Sequence, residues 1–559
     1  MFSRVFSIIC TLSFFLIQSG SAGPPAVPKL TIVIIVDQMR DDYLSRFDDL
    51  YCTDGFHLLM QKGARYVNSS YPYSSTFTGP GHSVILSGIP PAISGIVGND
   101  WYNSSLGRTF YCVEDSTVYA TGINSENPSG KMSPHNFNGE SFCDMLRLSS
   151  HASKAVGIAL KDRGAILPVG KHPTGAFWFE TKKGRWISSS YYDSILPQWV
   201  TVFNARNSVQ SYLGKEWHKL LPEDAYVRSG SDSAIAEGNL PGETTCIFPH
   251  HVYDPANPEA GLPRNKYKRF EPFVCTPYGN DLTVDFAEAA ITGEHLGQRE
   301  VPDLLSISFS SPDYCGHIFG PDSHEMEDMM VRLDRQLSGF FHFVDSTIGI
   351  ENTLIVLTAD HGVAPIPERT AARGGLRLSA ADYLNDIKVR IGQMYNYNEG
   401  NDNLIRSFIS GSIYIDSSGL SAHHIPMRQF ERDIAQITNR LPGIAACYTR
   451  EQLLDPSGEK SFDSIQVKVK CSFHVNNSGD IMVVQKPYCI FGDKDVAVHG
   501  SPYWYDCNVP LIFYGKMFKP GNYQTRCSPL DIAPTLAKIF SISPPAGCAG
   551  QPLTESFVK

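Results

Sequence analysis

Thr31-Ile32-Val33-Ile34-Ile35-Val36-Asp37 places six β-branched residues in succession and closes them with an acid. Such a run has no polar face, so it reads as a strand buried on both sides, as in a parallel sheet covered by helices. Residues 304–309, 353–358 and 510–514 have the same character. Helical patterns lie between these runs, over 56–62, 139–150, 282–296, 324–344 and 530–540. Strand and helix alternating in this way predict an α/β fold, a doubly wound and mostly parallel sheet flanked by helices. The runs are too far apart for simple βαβ units, so two large insertions are expected, at about 164–300 and about 365–500. The first is rich in Gly, Pro, Trp and Tyr and suits a cap. The second reads as a small α+β excursion, with a helix near 427–440 and strands over 464–470 and 480–485.

The whole chain has 559 residues, 42% hydrophobic and 19% charged, which is globular composition and excludes a disordered or fibrous protein. That length allows several domains or one large core with insertions. The formal charge of −10, with no long basic block, excludes nucleic acid as a partner. Arg4, an apolar stretch over 5–17 and Gly20-Ser21-Ala22 read as a secretory signal at 1–22, with cleavage expected after Ala22, which would leave a single large domain at 23–559. The stretch is shorter than the roughly 20 residues a membrane span needs, so an uncleaved anchor is the lesser reading, and no later run is long and apolar enough to cross. Thirteen cysteines become 12 once Cys10 leaves with the signal. No CxxC pair points to a thiolate metal site; Cys471/Cys489 and Cys527/Cys548 are candidate disulfides.

Ligands of open α/β sheets bind beyond the carboxyl ends of the strands. The first strand ends at Asp37, the second buried run leads into Ser311-Pro312-Asp313 and His317, and the third into Asp360-His361-Gly362. His499 stands on a loop before the last strand. Clustered carboxylates and imidazoles suit Zn²⁺, with Mn²⁺ or Fe²⁺ as alternatives. In Ser75-Thr76-Phe77-Thr78-Gly79-Pro80-Gly81-His82, Thr78 is the nucleophile candidate and Thr76 its competitor, just before a helix expected from Ser83. Glycines there would let backbone approach an anion held at the helix N-terminus; taken alone, the segment also reads as a simple turn with Thr78 as a cap.

This ordered set, Asp37, Thr78-Gly79-Pro80-Gly81-His82, Gly98-Asn99, Asp313 with His317, Asp360-His361-Gly362 and His499, resembles the alkaline phosphatase superfamily, in its type I phosphodiesterase/nucleotide pyrophosphatase-like branch. Lys161-Asp162-Arg163, after a strand at 155–160, is similar to the Lys-x-Arg pair of that branch's alkaline phosphatases. The resemblance implies two Zn²⁺ per chain, one held by Asp313, His317 and His499, the other by Asp37, Asp360, His361 and Thr78. It implies attack by Thr78 on small phosphate monoesters, a phosphothreonine intermediate, and phosphoryl oxygens held by Asn99, Lys161 and Arg163. His82 is expected to support the turn; His250, His251, His423 and His424 are expected to be surface or structural. The implied protein is a secreted zinc-dependent alkaline phosphatase, periplasmic in a Gram-negative source. A phosphodiesterase on the same core is the alternative, and a non-catalytic secreted binding protein is the alternative of another class. Oligomeric state has no readable signal.

Overall fold

In the computed structural model, which describes residues 27–558 except 235, 255–267, 398–401, 457–463 and 493–494, the opening apolar run becomes β1 (Leu30–Val36), completely buried. The expected signal at 1–22 and Cys10 lie outside the described residues. Around β1 are β2 (Ala155–Ala159), β3 (Gly175–Glu180), β4 (Asp303–Phe309) and β5 (Thr353–Thr358), in the spatial order β5-β1-β4-β2-β3 and all parallel. Side chains of β1 alternate between two cores: Ile32, Ile34 and Val36 face one, Val33 and Ile35 the other. Met326, Met330, Leu333, Leu337 and Val344 of the helix His324–Ile348 cover the first face. Ile85, Phe142, Leu146, Leu536 and Ile539, from three other helices, cover the second. Helices on both faces explain why β1 carries no polar stripe.

The sheet is mixed at its flanks. Five further strands extend it to ten, and Leu511–Tyr514 pairs antiparallel with β5, as Arg185–Ser189 does with β3. The strand expected at 510–514 starts one residue later, because Pro510 has no N–H for a ladder. The chain within 175–189 extends this same sheet, while the later interval builds a separate antiparallel sheet of Ile405–Ile409, Ser412–Ile415, Ile481–Gln485 and Ile444–Thr449.

Two local expectations are corrected. Residues 464–470 alternate polar and apolar like a strand, but form the helix Ser464–Ser472. Ile465 and Val469, spaced for a helix, pack in one cluster with Met482 and Val484, so tertiary burial overrides the local pattern. The helix expected from Ser83 instead begins at Thr78 and runs to Ile85. Pro80 is tolerated because the first N–H groups of a helix have no intrahelical acceptor. Neither candidate disulfide forms: all 12 described cysteines are free. Cys471 packs on the main core and Cys489 on the core of the second sheet, where each acts as a small apolar side chain.

Candidate active site

Parallel register brings the strand ends to one edge: Val36 lies beside Phe309, Ile35 beside Thr358, and Ser308 beside Ala159. The residues that follow therefore converge. Asp37 and Gln38 follow β1, Lys161 follows β2, and Asp360 and His361 follow β5. Asp313 and His317 project from the helix Ser311–Phe319 after β4, one turn apart on one face. Side-chain donors of Asp37, Asp360 and His361 fall within 4.8 Å of one another, and so do those of Asp313, His361 and His499. His361 is common to both sets. His317 belongs to neither, but its Nε2 is 3.3 Å from Asp313 Oδ1, beside His499 Nε2 at 3.6 Å from the same oxygen.

The three imidazoles are held alike. Nδ1 of His317 meets the carbonyl of Ala497 at 2.8 Å, Nδ1 of His361 that of Gly362 at 2.9 Å, and Nδ1 of His499 that of Thr76 at 2.7 Å. A carbonyl only accepts, so each Nδ1 carries a proton; Nε2 of His361 and of His499 is left to present a lone pair to the centre, while for His317 burial acts downward but Asp313 beside its Nε2 outweighs it and raises the imidazole. Asp37 Oδ1 is buried there without a hydrogen-bond partner. Burial, with Asp313 and Asp360 nearby, pushes the Asp37 carboxyl well above its usual range. Burial likewise lowers His361, and it lowers His499 well below an ordinary histidine, helped by His361 beside it. For Asp360 burial acts upward, but His361 and His82 outweigh it and hold the carboxylate low. Three converging carboxylates, an unpartnered Asp37 oxygen and imidazoles whose Nε2 atoms face the centre form a donor set that fits a divalent metal with nitrogen and oxygen ligands.

Thr78 is 1% exposed, with Oγ1 3.4 Å from His361 Nε2. The competing Thr76 hydroxyl donates to the Ser501 carbonyl at 3.0 Å. Asn99 accepts the Gly79 N–H on Oδ1 at 2.7 Å, which fixes the start of the Thr78 helix. Arg163 approaches Thr78 Oγ1 through Nη2 at 3.5 Å. Lys161 takes a different place from the phosphoryl contact the resemblance implies: its Nζ bridges Asp37 Oδ2, at 2.7 Å, and Asp313 Oδ2. His82 stands behind the site, against the Thr78 carbonyl at 2.9 Å, Asp360 Oδ2 at 3.1 Å and the Ser308 hydroxyl at 2.8 Å. His250 is buried between Glu243 and Glu325, whose hydrogen bonds overcome burial and raise it to about 9.

Two participants carry no signal in the sequence. Gln38 donates its backbone N–H to Asp360 Oδ1 at 3.1 Å and its Nε2 to Asp313 Oδ1 at 2.8 Å, and so ties two acidic groups from distant segments. Tyr111 touches Arg163 and Asp162 from the end of a short hairpin.

The type I phosphodiesterase/nucleotide pyrophosphatase family model matches residues 31–501. A curated relative from Elizabethkingia meningoseptica, alkaline phosphatase PafA, is 34% identical over 548 residues, 97% of each chain. A protein of Myroides odoratus named calcium-transporting ATPase is 34% identical over 558 residues, 98% of each chain. The crystal structure of wild-type alkaline phosphatase PafA superposes with a TM-score of 0.87 at 33% identity, covering 96% of this chain and all of that one. With the family model spanning most of the chain, and the fold and sequence of a bacterial phosphatase matched nearly end to end, the protein belongs to the type I phosphodiesterase/nucleotide pyrophosphatase family and has the alkaline phosphatase fold.

Proposed function

We propose that the chain is an exported, metal-dependent alkaline phosphatase that hydrolyses small phosphate monoesters through a phosphothreonine. The observation that carries this reading is the Arg163 guanidinium, 3.5 Å from the Thr78 hydroxyl. A monoester presents three nonbridging oxygens and two negative charges, so a fixed cation beside the nucleophile favours it over a singly charged diester. The relative named alkaline phosphatase PafA, matched over 97% of each chain, supports a phosphatase. Among the described residues no helix is long and apolar enough to cross a membrane.

Asp37, Asp360 and His361, with Thr78, would hold one metal, and Asp313, His317 and His499 the other, zinc being the ion that suits these donors. Bound there, two zinc ions supply Lewis-acid stabilisation of negative charge on the attacking and leaving oxygens. Thr78 Oγ1, having given its proton to solvent, forms the new bond to phosphorus as the bond to the leaving oxygen breaks, and the departing alkoxide takes up a proton from water. Water then attacks phosphorus, releases Thr78 and leaves inorganic phosphate. Arg163 and the Asn99 amide orient the nonbridging oxygens, while Asn99 Oδ1 keeps the nucleophile's helix in place. Lys161 offsets the charge of Asp37 and Asp313.

A phosphodiesterase is the second reading, favoured by the engagement of Lys161 with two carboxylates, which leaves Arg163 as the cation nearest Thr78. The deciding measurement is kcat/KM for an aryl phosphate monoester against the matching diester, with zinc-loaded protein from Gly23 onward. A ratio well above one is expected. A ratio below one would make the enzyme a diesterase.

A further inference from the structure

Arg163 does not hold its own direction: its Nη1 donates to the Tyr111 hydroxyl at 2.9 Å, and that hydroxyl donates onward to Asp162 Oδ1 at 2.5 Å. Asp162 Oδ1 also accepts the backbone N–H of Arg163 at 2.6 Å. The guanidinium carbon lies 5.9 Å from the centre of the Tyr111 ring. The phenol is thus a spacer between an anion and a cation, with its one hydrogen committed to the carboxylate and its oxygen to the guanidinium. A carboxylate in direct bidentate contact would cancel more of the guanidinium's field, because Coulomb attraction weakens with distance. Through the spacer, Arg163 keeps its Nη2 side and most of its charge for an anion at Thr78.

The same hairpin serves a second donor. It runs Asp100–Asn103 and Arg108–Tyr111, and the N–H of Cys112 closes on the carbonyl of Asn99 at 2.9 Å. Asn99 and Tyr111 are therefore fixed relative to each other, one holding the start of the nucleophile's helix and the other aiming the guanidinium.

We propose that Tyr111, braced by Asp162, is a positioning residue that aims Arg163 at the extra phosphoryl charge of a monoester, and so sets the preference for monoesters over diesters. The inference rests on the monoesterase reading above. Its test compares Tyr111→Phe and Asp162→Asn with Arg163→Ala and with the double variant Tyr111→Phe/Arg163→Ala, each in the full zinc-loaded chain. In each, kcat/KM is measured for an aryl monoester and for its diester. Tyr111→Phe is expected to cost roughly tenfold on the monoester, about the value of one hydrogen bond to a charged group, with less than threefold on the diester. In the Arg163→Ala background it should cost nothing further, since its effect passes through the guanidinium. Asp162→Asn should lower the same ratio in the same direction.

Equal losses on both substrates, or the same tenfold loss with Arg163 already removed, would overturn the inference and leave Tyr111 a structural residue. A silent Tyr111→Phe beside a monoester-selective loss in Arg163→Ala would sink the inference alone. If Arg163→Ala itself costs both substrates equally, the monoesterase reading falls with it.

Discussion

Gln38 has a left-handed backbone, φ 69°, two residues beyond the end of β1. A non-glycine residue accepts that conformation only where its surroundings compensate, and here the compensation is the pair of bonds to Asp313 and Asp360. Space for the side chain comes from Gly316: a Cβ there would lie 1.7 Å from Gln38 Oε1. Outer groups that orient metal ligands commonly alter affinity ten- to a hundredfold. Gln38→Ala is accordingly expected to weaken zinc retention by about tenfold, read by chelator competition followed on the protein's own fluorescence; unchanged retention would reduce Gln38 to a turn residue. Asp37, Asp313 and Asp360 could be found in the sequence because each follows a recognisable strand. A glutamine beside one of them looks like any polar residue, since its role depends on where two remote segments come to rest.

The helix Thr78–Ile85 is positioned by contact with the end of β5. A Cβ on Gly81 would stand 2.2 Å from the Asp360 carbonyl oxygen, a backbone atom that cannot swing aside. Gly81→Ala should therefore push the helix off the strand end, lower stability by about 2–3 kcal/mol, and reduce kcat at least about a hundredfold through displacement of Thr78. Gly339, exposed on the long helix His324–Ile348, is the control, because an added methyl there would have no neighbour within 4 Å. Gly339→Ala should leave kcat unchanged and stabilise by about 0.5–1 kcal/mol. Denaturant titration and steady-state kinetics check both; full activity in Gly81→Ala would show that the helix has slack. Gly79-Pro80-Gly81 looks like a turn in the sequence, and only the packing of this element on β5 makes it the first turn of a helix.

Across the whole molecule the acidic balance extends into the interior. The Glu237 side chain is buried with Arg369 Nη2 at 3.3 Å, and neither carboxylate oxygen has a hydrogen-bond partner. Burial, reinforced by Glu325, raises it to about 8, and burial raises Glu431 and Asp506 to about 7. Each such group keeps in the folded chain a proton that the unfolded chain releases near its ordinary value. Folding stability is then greatest below that ordinary value and declines as pH rises through the folded one, here between about 4.5 and 8 for Glu237. Glu237→Gln should leave the Tm at pH 5 little changed and raise it at pH 9, measured by thermal unfolding at both. A variant that loses Tm equally at both would place the value of Glu237 in its contact with Arg369 instead.

Residue order along the chain was enough to define the parallel core and the succession of its ligand-bearing strand ends. Consecutive β-branched residues can be satisfied only by burial on both faces, and parallel strands must carry their following residues to one edge. Folding in three dimensions was needed to turn Lys161 onto Asp37 and Asp313, to make His361 common to both donor sets, to tie two carboxylates through Gln38, and to bring Tyr111 to Arg163. Contacts such as Gln38 to Asp313 at 2.8 Å and Arg163 to Tyr111 at 2.9 Å join segments tens to hundreds of residues apart. Local periodicity encodes which face is buried; it has no means of encoding which remote side chain arrives at hydrogen-bonding distance, because that follows from the packing of every element between them.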